Sequence, residues 1–387
     1  MSDALRPRRI LHVVANRWWT GSADPALDLA LVQRARQHAV RFACIPGDAL
    51  AAKAKAVGLA PVAGLSLERT ARPWVLASDV RGLRRVVREA EIEVVHAHQS
   101  HDHWLAALAT RGLPIALVRT VHHRRALRRD PLTRWLFRRT DAVIAVSSGI
   151  VAAARQAGIA PETIVLVPGA VDVRRFRPSG DDRPIRAELG LGARPVVGCV
   201  ARLVPGRGHD VLLRAAALLQ GRLPDLRVVL VGRGEGRPAV EALVRTLGIG
   251  ERVVFAGYRG DDLPDVLVAL DCLVLLGAGS EESCRAVLEA MAAGRPVVAA
   301  RVGAIPDTVA DGETGWLVER NPTSVAERLE AILTDRRRAR AMGMAGRRRV
   351  EQLFTPERRA AAVEAVYARV LAGSSANGGA GSGSAAK

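Results

Sequence analysis

The chain has 387 residues, enough for two domains of ordinary size, with a hydrophobic content of 49% and a mean hydropathy of +0.10. These values are typical of a globular protein, and no apolar run approaches the roughly 20 residues that a membrane-spanning helix needs. The net charge is +18, and residues 1–180 hold 28 Lys and Arg against 14 Asp and Glu, which indicates an anionic partner for the first half.

The chain begins with a basic segment and a short apolar run, which predict a first strand at RILHVVA and not a signal peptide. The four cysteines, at positions 44, 199, 272 and 284, are scattered and form no C-x-x-C pair. Three of them stand in apolar, strand-like stretches, where free cysteine behaves as a small hydrophobic side chain. This usage indicates a reducing cytoplasm and argues against disulfides or a zinc–thiolate site.

Apolar runs alternate with helical patterns along most of the chain. Strands are predicted in the first half at RILHVVA, VRFACI, EVVHAH, IALVRTV, AVIAVS and TIVLVPG. Strands are predicted in the second half at RPVVGCVARL, LRVVLVG, RVVFAG, CLVLLG and RPVVAA. Continuous apolar strands that alternate with helices are typical of parallel, doubly wound sheets.

A stretch rich in glycine, proline and charge, residues 168–195, separates the two series, and the chain is helical after residue 320. The sequence therefore predicts an α/β protein with two Rossmann-like doubly wound domains facing a cleft. We place the domains at residues 1–180 and 181–355. A C-terminal helix over 356–372 is expected to pack back on the first domain, and residues 373–387 are expected to form a disordered tail.

Histidines are concentrated in HAHQSHDHW, at His96, His98, His101 and His103 around Asp102. The metallo-hydrolase pattern H-x-H-x-D-H requires aspartate where this chain has Ser100, and His96 and His98 share one strand face. We therefore predict structural or cleft-lining histidines and no bound metal. A metal site is the less favoured alternative.

The loops after the strands should hold the ligand, because open α/β sheets bind ligands outside the carboxyl ends of their strands. The loop VPGRGHD follows a strand and places Arg202 and Arg207 beside two glycines, ahead of a helix. Two guanidinium groups with exposed backbone amides suit a diphosphate. Because arginine is abundant in this chain, a chance pair is the alternative.

Glu281 and Glu289 lie eight positions apart across a predicted helix start. Eight residues span about 12 Å of helix, the scale that separates a sugar from a ribose across a pyrophosphate. The amides between them can hold phosphates, and carboxylates accept hydrogen bonds from hydroxyl groups. The alternative is that both glutamates serve only helix formation and the helix dipole.

The stretch EESCRAVLEAMAAGRPVVAARVGAIPDTVADGETGWLVE resembles the signature of glycosyltransferase family 4, the retaining nucleotide-sugar transferases of GT-B fold. The resemblance continues through VARLVPGRGHDVLLRAAALL and RVVLVGRGEGRPAVEAL, strongly over about residues 195–350 and weakly over 9–180. It implies transfer of a hexose from a nucleoside-diphosphate sugar to a hydroxyl acceptor, without cofactor or metal.

The resemblance also implies roles for individual residues. Glu281 would contact the donor sugar, Glu289 the ribose, and Arg202 with Arg207 the diphosphate. At the position of Arg207 the family more often has lysine. His122 would be an active-site residue, with His123 as the alternative in register. Glu281, Arg202, Arg207 and His122 form the expected catalytic group, and the other donor-binding positions are Gly21, Gly232, Ser283, Cys284, Arg285 and Ala286.

The sequence departs from the family pattern at Ser22, Glu282 and Cys284, where glycine is frequent. A backbone that favours glycine is costly for other residues. A non-catalytic family member is therefore an alternative.

The glycines in VLVGRGEG follow G-x-G-x-G and not G-x-G-x-x-G, and no acidic residue ends the next strand. A nucleotide-dependent oxidoreductase is therefore a remote alternative, and we expect this loop near the nucleotide base. A nucleic-acid-binding protein is equally remote because aromatics are few and no recognition motif is present. We expect no nucleic-acid partner.

Residues 119–141 hold eight arginines and two acidic residues. On the helix predicted after Pro131, Leu132, Trp135 and Leu136 fall on one face. Such a helix would lie on an anionic leaflet, which suits a lipid-linked or envelope glycan acceptor and a cytoplasmic protein at the inner face of the plasma membrane. The alternative is an apolar stripe packed on its own sheet, with a soluble acceptor.

Overall fold

The computed structural model describes residues 6–16, 23–178, 180–279 and 283–378, with side chains up to residue 373. Four positions discussed above, Gly21, Ser22, Glu281 and Glu282, lie outside the described residues. The chain divides into two compact units, one of Met1–Pro168 with Pro356–Lys387 and one of Gly169–Thr355.

The units divide at Pro168, twelve residues before the predicted boundary at 180. The reason is that the segment after Pro168 packs into the second unit. Val171 and Phe176 belong to its hydrophobic core, and the Val171 amide donates a hydrogen bond to the Phe354 carbonyl oxygen (2.9 Å). Buried apolar side chains, and not the composition of the linker, decide where the division falls.

The first unit contains a six-stranded parallel sheet in the order β2-β1-β3-β4-β5-β6. All six predicted strands are present, as β1 (Arg9–Val14), β2 (Ala39–Cys44), β3 (Val94–Ala97), β4 (Ala116–Val121), β5 (Ala142–Ala145) and β6 (Ile164–Leu166). The helices between them are α1 (Asp24–Ala35), α2 (Ala49–Ala56), α3 (Pro73–Glu89), α4 (Ser100–Ala109), α5 (Pro131–Phe137) and α6 (Ser148–Gln156).

The second unit contains a six-stranded parallel sheet in the order β12-β11-β10-β7-β8-β9. Its strands are β7 (Val196–Val200), β8 (Arg227–Val231), β9 (Val253–Gly257), β10 (Cys272–Leu275), β11 (Val297–Ala300) and β12 (Gly315–Val318). Its helices are α7 (Arg183–Glu188), α8 (His209–Leu218), α9 (Arg237–Thr246), α10 (Leu263–Ala269), α11 (Arg285–Ala292), α12 (Ile305–Thr308), α13 (Pro322–Thr334) and α14 (Arg336–Leu353). The sequence did not predict β12, a short edge strand with two half-buried residues.

The strands of the second sheet are apolar on both faces because helices cover both. Along β8, Val229 and Val231 belong to one hydrophobic cluster, and Val228 and Leu230 belong to the other. Successive side chains of a strand point to opposite faces, so a strand between two helical layers needs an unbroken apolar run. This is why the apolar runs predicted these strands.

The chain returns to the first unit in its last helix, α15 (Pro356–Gly378). Val363 and Tyr367 pack in one cluster with Ile10 of β1 and Val118 of β4. The helix continues six residues beyond its predicted end at residue 372, and residues 379–387 lie outside the description. Serine, alanine and asparagine extend an existing helix at little cost, so the low-complexity composition did not mark its end.

In each sheet the strand order reverses at one pair of neighbours, β1 and β3 in the first sheet and β7 and β10 in the second. Ligands of doubly wound sheets bind at this switch point, outside the carboxyl ends of the strands. When the strands are numbered within each sheet in chain order, the first sheet has the order 2-1-3 and the second the order 3-2-1-4 around the switch point. The strand pattern in the sequence did not reveal this difference. No helix among the described residues is long and apolar enough to cross a bilayer.

Candidate active site

The loop after β7 lies beside the loop after β8 and is hydrogen-bonded to it, backbone to backbone. The Ala201 amide donates to the Val231 carbonyl (3.0 Å), and the Leu203 amide donates to the Arg233 carbonyl (3.1 Å). The Gly236 amide donates to the Leu203 carbonyl in return (2.8 Å). These bonds fix the backbone on both sides of Arg202.

The glycines of the G-x-G-x-G stretch permit this close approach. A Cβ atom on Gly232 would lie 2.0 Å from the Ala201 carbonyl oxygen, and one on Gly234 would lie 2.2 Å from the Leu203 carbonyl oxygen. No side chain fits at such distances, so these two positions accept only glycine. The pattern that invited a dinucleotide interpretation therefore has a structural cause, because its glycines make room for the backbone next to Arg202.

Arg207 is held from the other side by the end of β10. A Cβ atom on Gly277 would lie 2.8 Å from the Cα atom of Arg207. Gly208, with φ of +81°, caps helix α8, and a Cβ atom there would lie 2.5 Å from the Cβ atom of Leu276. The Nη1 atom of Arg207 also donates to the Ala278 carbonyl. The arginine loop is therefore fixed at the β7–β10 switch point.

The two guanidinium groups interact electrostatically. Arg202 has a side chain 64% exposed and an ion pair with Glu235 at 3.5 Å. Arg207 is half-buried, and its pKa is lowered first by that burial and then by the positive charge of Arg202. An anion bound between them would relieve this repulsion.

Helix α11 begins beside this loop at a strained residue. Cys284 caps the helix with φ of 52° and ψ of 48°, the left-handed conformation that favours glycine. The cost for another residue is about 1–2 kcal/mol. The strain predicted for position 284 is therefore present, and Cys284 is close enough to Arg207 to influence the pKa of that arginine.

The donor-binding positions predicted after Cys284 lie in the first turns of α11. Glu289 is only 7% exposed, and its Oε1 atom lies 2.9 Å from the Nε atom of Arg285, one turn earlier. Ser283 is buried, Ala286 is half-buried, and a Cβ atom on Gly169 would lie 2.9 Å from the Cβ atom of Ser283. Arg202, Arg207, Gly232 and the start of α11 thus meet at one end of the second sheet.

Two residues of this region were missed by sequence reasoning. The Nη2 atom of Arg320 donates to the Gly206 carbonyl (3.2 Å) and adds a third guanidinium to the arginine loop. His209, directly after this loop, is buried, and its pKa is lowered by that burial. The sequence could have indicated Arg320 only through its position after GWLV, and GWLV is recognisable as a strand only in the structure.

His122 follows β4 in the first unit and is buried at the end of a stack of histidine rings. The ring centroids lie 6.0 Å apart between His122 and His98, 4.2 Å between His98 and His96, and 5.3 Å between His96 and His12. Burial lowers the pKa of His96 and His98 well below the usual value and that of His12 to about 4. His123, the alternative to His122, caps the next turn by accepting from the Arg125 amide (3.0 Å).

The stack is held by hydrogen bonds. The nitrogens of His12 bond to Gln33 (2.8 Å) and His98 (3.0 Å), and those of His96 bond to Thr120 (2.7 Å) and Tyr367 (2.6 Å). The ring nitrogens of His12, His96 and His98 lie within 4.8 Å of one another, close enough for the three residues to hold a metal ion. Their hydrogen bonds favour a structural role, and the metal site stays the less favoured alternative.

The other members of the HAHQSHDHW stretch have separate partners. The Nε2 atom of His103 bonds to the Thr140 hydroxyl (2.8 Å), and Asp102 accepts the backbone amides of Ala15 (3.0 Å) and Gln99 (2.7 Å). Asp102 and His103 therefore do not converge with His96 and His98 on one point, as a metal site would require.

Known proteins similar to the chain include GDP-mannose-dependent α-(1-6)-phosphatidylinositol monomannoside mannosyltransferases. That of Mycobacterium tuberculosis is 35% identical over 289 residues, covering 70% of this chain and 74% of that protein. That of Mycolicibacterium smegmatis is 40% identical over 190 residues, covering 47% of this chain and 50% of that protein. A D-inositol 3-phosphate glycosyltransferase of Nocardia farcinica is 36% identical over 279 residues, covering 65% of this chain and 61% of that protein.

Two family models match consecutive parts of the chain. Residues 20–175 match the model of Glycosyltransferase Family 4, and residues 181–349 match that of Glycosyl transferases group 1. The chain belongs to glycosyltransferase family 4. A solved glycosyltransferase of Rickettsia africae has the same fold, with a TM-score of 0.84 and 18% identity over 95% of this chain and 99% of that one. The predicted GT-B fold is confirmed.

The first unit of this glycosyltransferase has a cavity of about 1130 Å³ at the β1–β3 switch point. Ala15 and Asn16, after β1, and Gln99 and Ser100, after β3, line it together with Arg119 of β4. Sequence reasoning did not single out Arg119, because a cation inside a buried strand gives no signal until the neighbouring loops are in place.

The apolar stripe of α5 is mostly packed within the first unit of the glycosyltransferase. Leu136 is buried, and Trp135 stacks on Trp104 with ring centroids 5.7 Å apart and Arg139 4.3 Å above it. Leu132 is the exposed member, at 68%. The predicted three-residue membrane face is therefore wrong for Leu136, which is buried, whereas Trp135 is half-buried and partly covered by Trp104 and Arg139.

Proposed function

We propose that this glycosyltransferase moves a hexose from a nucleoside-diphosphate sugar to a hydroxyl acceptor with retention of configuration. The observation that carries the proposal is the pair Arg202 and Arg207 at the β7–β10 switch point, beside the start of α11. Burial first and then the positive charge of Arg202 lower the pKa of Arg207, so the two guanidinium groups lie close enough to repel each other. A diphosphate between them would satisfy both charges and would reach the amides at the start of the helix.

The two arginines and the amides of Ser283 to Ala286 would stabilise the leaving diphosphate, which gains charge as the bond to the sugar breaks. The Glu289 carboxylate, held by Arg285, would accept hydrogen bonds from the ribose hydroxyls. We assign the donor sugar to Glu281 and an additional diphosphate contact to the backbone of Gly21. Gly232 would leave room for the nucleotide, and His122 would contact the reacting sugar.

Retention of configuration is proposed to follow from attack on the same face as departure. The bond from the anomeric carbon to the phosphate oxygen breaks, and the bond to the acceptor oxygen forms on that face. The proton of the acceptor hydroxyl passes to the leaving phosphate. In this scheme no protein carboxylate forms a covalent bond to the sugar, and no metal or cofactor takes part.

The names of the relatives support a hexose donor and indicate which donor and acceptor to test first. The mycobacterial relatives are named as GDP-mannose-dependent mannosyltransferases of a phosphatidylinositol monomannoside, and the Nocardia relative is named for D-inositol 3-phosphate. We therefore propose GDP-mannose as the first donor to test, and a lipid-linked or envelope glycan as the acceptor. A soluble small-molecule acceptor is the second candidate.

The experiment that tests the donor is a thermal-shift screen of the full chain with UDP-, GDP- and ADP-sugars. A donor at 100 times its dissociation constant should stabilise the fold by about 2.7 kcal/mol. The stabilising donor is then incubated with acceptors, and the anomeric configuration of the product is read by NMR. An inverted product would disprove retention, and stabilisation by none of the donors would disprove the nucleotide-sugar site.

A non-catalytic family member is a second candidate, favoured by the strained Cys284 at the start of α11. It predicts that a nucleotide sugar stabilises the protein while neither transfer nor slow hydrolysis of the donor is detectable. Turnover of any donor would exclude it.

We also propose a cytoplasmic location with peripheral attachment to the inner face of the plasma membrane through residues 119–141. Exposed Leu132 would enter the headgroup region, and the arginines around it would bind anionic lipids. The protein should then cosediment with anionic vesicles and not with neutral ones, and binding should fall as salt rises. Leu132→Ser with Arg138→Gln should weaken this binding. Equal binding to neutral vesicles would contradict it.

A further inference from the structure

The cavity of the first unit is lined by four arginines. Arg119 forms part of its wall, and Arg69, Arg125 and Arg128 are exposed around it. The acidic residue of the lining is Asp130, whose two oxygens already accept from the Thr133 amide (2.9 Å) and the Thr133 hydroxyl (2.8 Å). The lining therefore carries a net positive charge.

Arg119 is the anchor of this cavity because its charge is buried and its hydrogen bonds are unmade. Its exposure is 2%, and its Nε and Nη1 atoms have no hydrogen-bond partner among the described residues. The nearest carboxylate is that of Asp102, 3.8 Å away and thus beyond hydrogen-bond distance. A buried guanidinium with unused donors is unfavourable unless an acceptor, best of all an anion, completes its hydrogen bonds.

Asp102 is the ion-pair partner of Arg119 at this distance, but it accepts no hydrogen bond from the Nε or Nη1 atom of the arginine. Both of its oxygens accept backbone amides, from Ala15 and from Gln99. These two amides belong to the loops after β1 and β3, so Asp102 fastens the cavity wall. The two unused nitrogens of Arg119 are left for a ligand.

The helix α4 adds to the positive potential of the cavity. Gln99 caps this ten-residue helix, and Ser100 and His101 form its first turn; all three residues line the cavity. The first turn of a helix carries a partial positive charge and favours anions. The Nε2 atom of His101 is also buried without a hydrogen-bond partner in the described part of the chain.

We propose that this cavity binds a phosphate ester of the acceptor, with Arg119 as the anchor of the phosphate and Arg69 and Arg125 as further cations. A phosphate carries up to two negative charges and several acceptor oxygens, which suits a planar guanidinium with unused donors. The volume of about 1130 Å³ leaves room for the group that the phosphate carries. The phosphate site is inferred from the cavity itself, and only the statement that the bound ester is the acceptor rests on the proposed function.

Binding of inorganic phosphate and of glycerol 3-phosphate to the full chain tests the site without any need for turnover. Both probes should raise the melting temperature of the wild type. Arg119→Gln should weaken their binding about tenfold or more, the loss expected for hydrogen bonds to a charged group. Because Arg119 is buried, the double variant Arg69→Gln with Arg125→Gln, at exposed positions, provides a second test. Arg88→Gln, an exposed arginine of α3 outside the cavity, is the matched control and should bind as the wild type does.

The donor site is the other place where phosphate could bind. In a variant with Arg202→Gln and Arg207→Gln, the shift with glycerol 3-phosphate should remain, and the shift with GDP or UDP should be lost. Arg119→Gln should show the reverse. If the wild type shows a glycerol 3-phosphate shift but no shift with GDP or UDP, the proposed donor site is refuted and this cavity stands, so the two proposals fail separately.

Binding of lipid vesicles, compared with binding of glycerol 3-phosphate, distinguishes a lipid headgroup from a soluble phosphate ester. Binding of phosphatidylinositol vesicles, lost in Arg119→Gln, assigns the cavity to a lipid headgroup, whereas glycerol 3-phosphate binding without vesicle binding assigns it to a soluble ester. Absence of any phosphate effect on the wild type would overturn the proposal. Equal effects in the wild type, Arg119→Gln and the double variant would overturn it as well.

Discussion

Arg36 and Glu364 form a two-pronged ion pair that joins helix α1 to helix α15 within the first unit. The Nε and Nη2 atoms of Arg36 lie 3.0 Å and 2.9 Å from the two carboxylate oxygens. His38 adds a third contact, with its Nε2 atom 3.2 Å from Oε1 of Glu364. The carboxylate is buried and fully paired, so it helps to hold the last helix of the chain on the first sheet.

We predict that Glu364→Gln lowers the free energy of unfolding by about 1–3 kcal/mol, the range for losing hydrogen bonds to a charged group. Arg36 is about a third exposed, so water can solvate its charge when the carboxylate is removed, and leaving it unpaired adds little to the destabilisation. Chemical denaturation at neutral pH measures the change. Glu89→Gln, at an exposed acidic residue of α3 in the same unit, is the control and should stay close to the wild type.

The same pair predicts an acid-sensitive part of the stability. Burial alone would raise the pKa of Glu364, but hydrogen bonds from His38 and Arg36 lower it below its ordinary value of 4.5. The unfolded chain therefore takes up the proton first as pH falls. Stability from this group is present above pH 4.5 and is lost as pH falls through the folded pKa. Below pH 4.5 the free energy of unfolding should depend less steeply on pH in Glu364→Gln than in the wild type. An equal pH dependence in the two proteins would contradict the assignment.

Arg202→Ala and Arg207→Ala should each lower turnover about 100-fold, the size expected when a charge partner of the transition state is removed. Glu289→Ala should instead raise the KM for the donor, because ribose contacts form in the ground state as well. Steady-state kinetics with the donor found in the thermal-shift screen measure both effects. Arg214→Ala, an exposed arginine on α8, is the control. Wild-type turnover in both loop variants would refute the diphosphate assignment.

Cys284 offers a test of backbone strain at the start of α11. In Cys284→Gly the strain of about 1–2 kcal/mol is relieved, while the packing of the thiol beside the Val302 carbonyl is lost, so stability should change by about 1 kcal/mol or less. Cys284→Val should be destabilising by more, because a β-branched residue tolerates the left-handed conformation least. Equal stability of the glycine and valine variants would show that the backbone is not strained. Thermal denaturation compares the three proteins.

The histidine stack leads to a prediction about metals. Since His12 and His96 use all of their ring nitrogens in hydrogen bonds, transferase activity should survive EDTA. His12→Asn should lower stability and leave the metal content at background. Elemental analysis of the purified protein and activity after chelation provide the measurements. Activity lost to EDTA and restored by one divalent ion would contradict the structural interpretation.

The strands of both units were predictable because a parallel strand between two helical layers has an unbroken apolar sequence. The same logic failed for β12, a four-residue strand at the edge of the sheet with two half-buried residues. The arginine loop was predictable from its position after β7 and its glycines. The division at Pro168 was not, since it depends on where the side chains of Val171 and Phe176 find a core.

The sequence by itself determined the family, the alternation of strands and helices, and which residues we propose for the donor site, because local pattern and motif spacing encode them. Only the tertiary structure decided which loops meet. The order β12-β11-β10-β7-β8-β9 brings Arg207 against Gly277 and Arg320 against Gly206. The order β2-β1-β3 joins the loops after β1 and β3 around Asp102 and encloses Arg119 in a cavity. Strand order is fixed by packing between segments distant in the chain, and such packing leaves no local signal in the sequence.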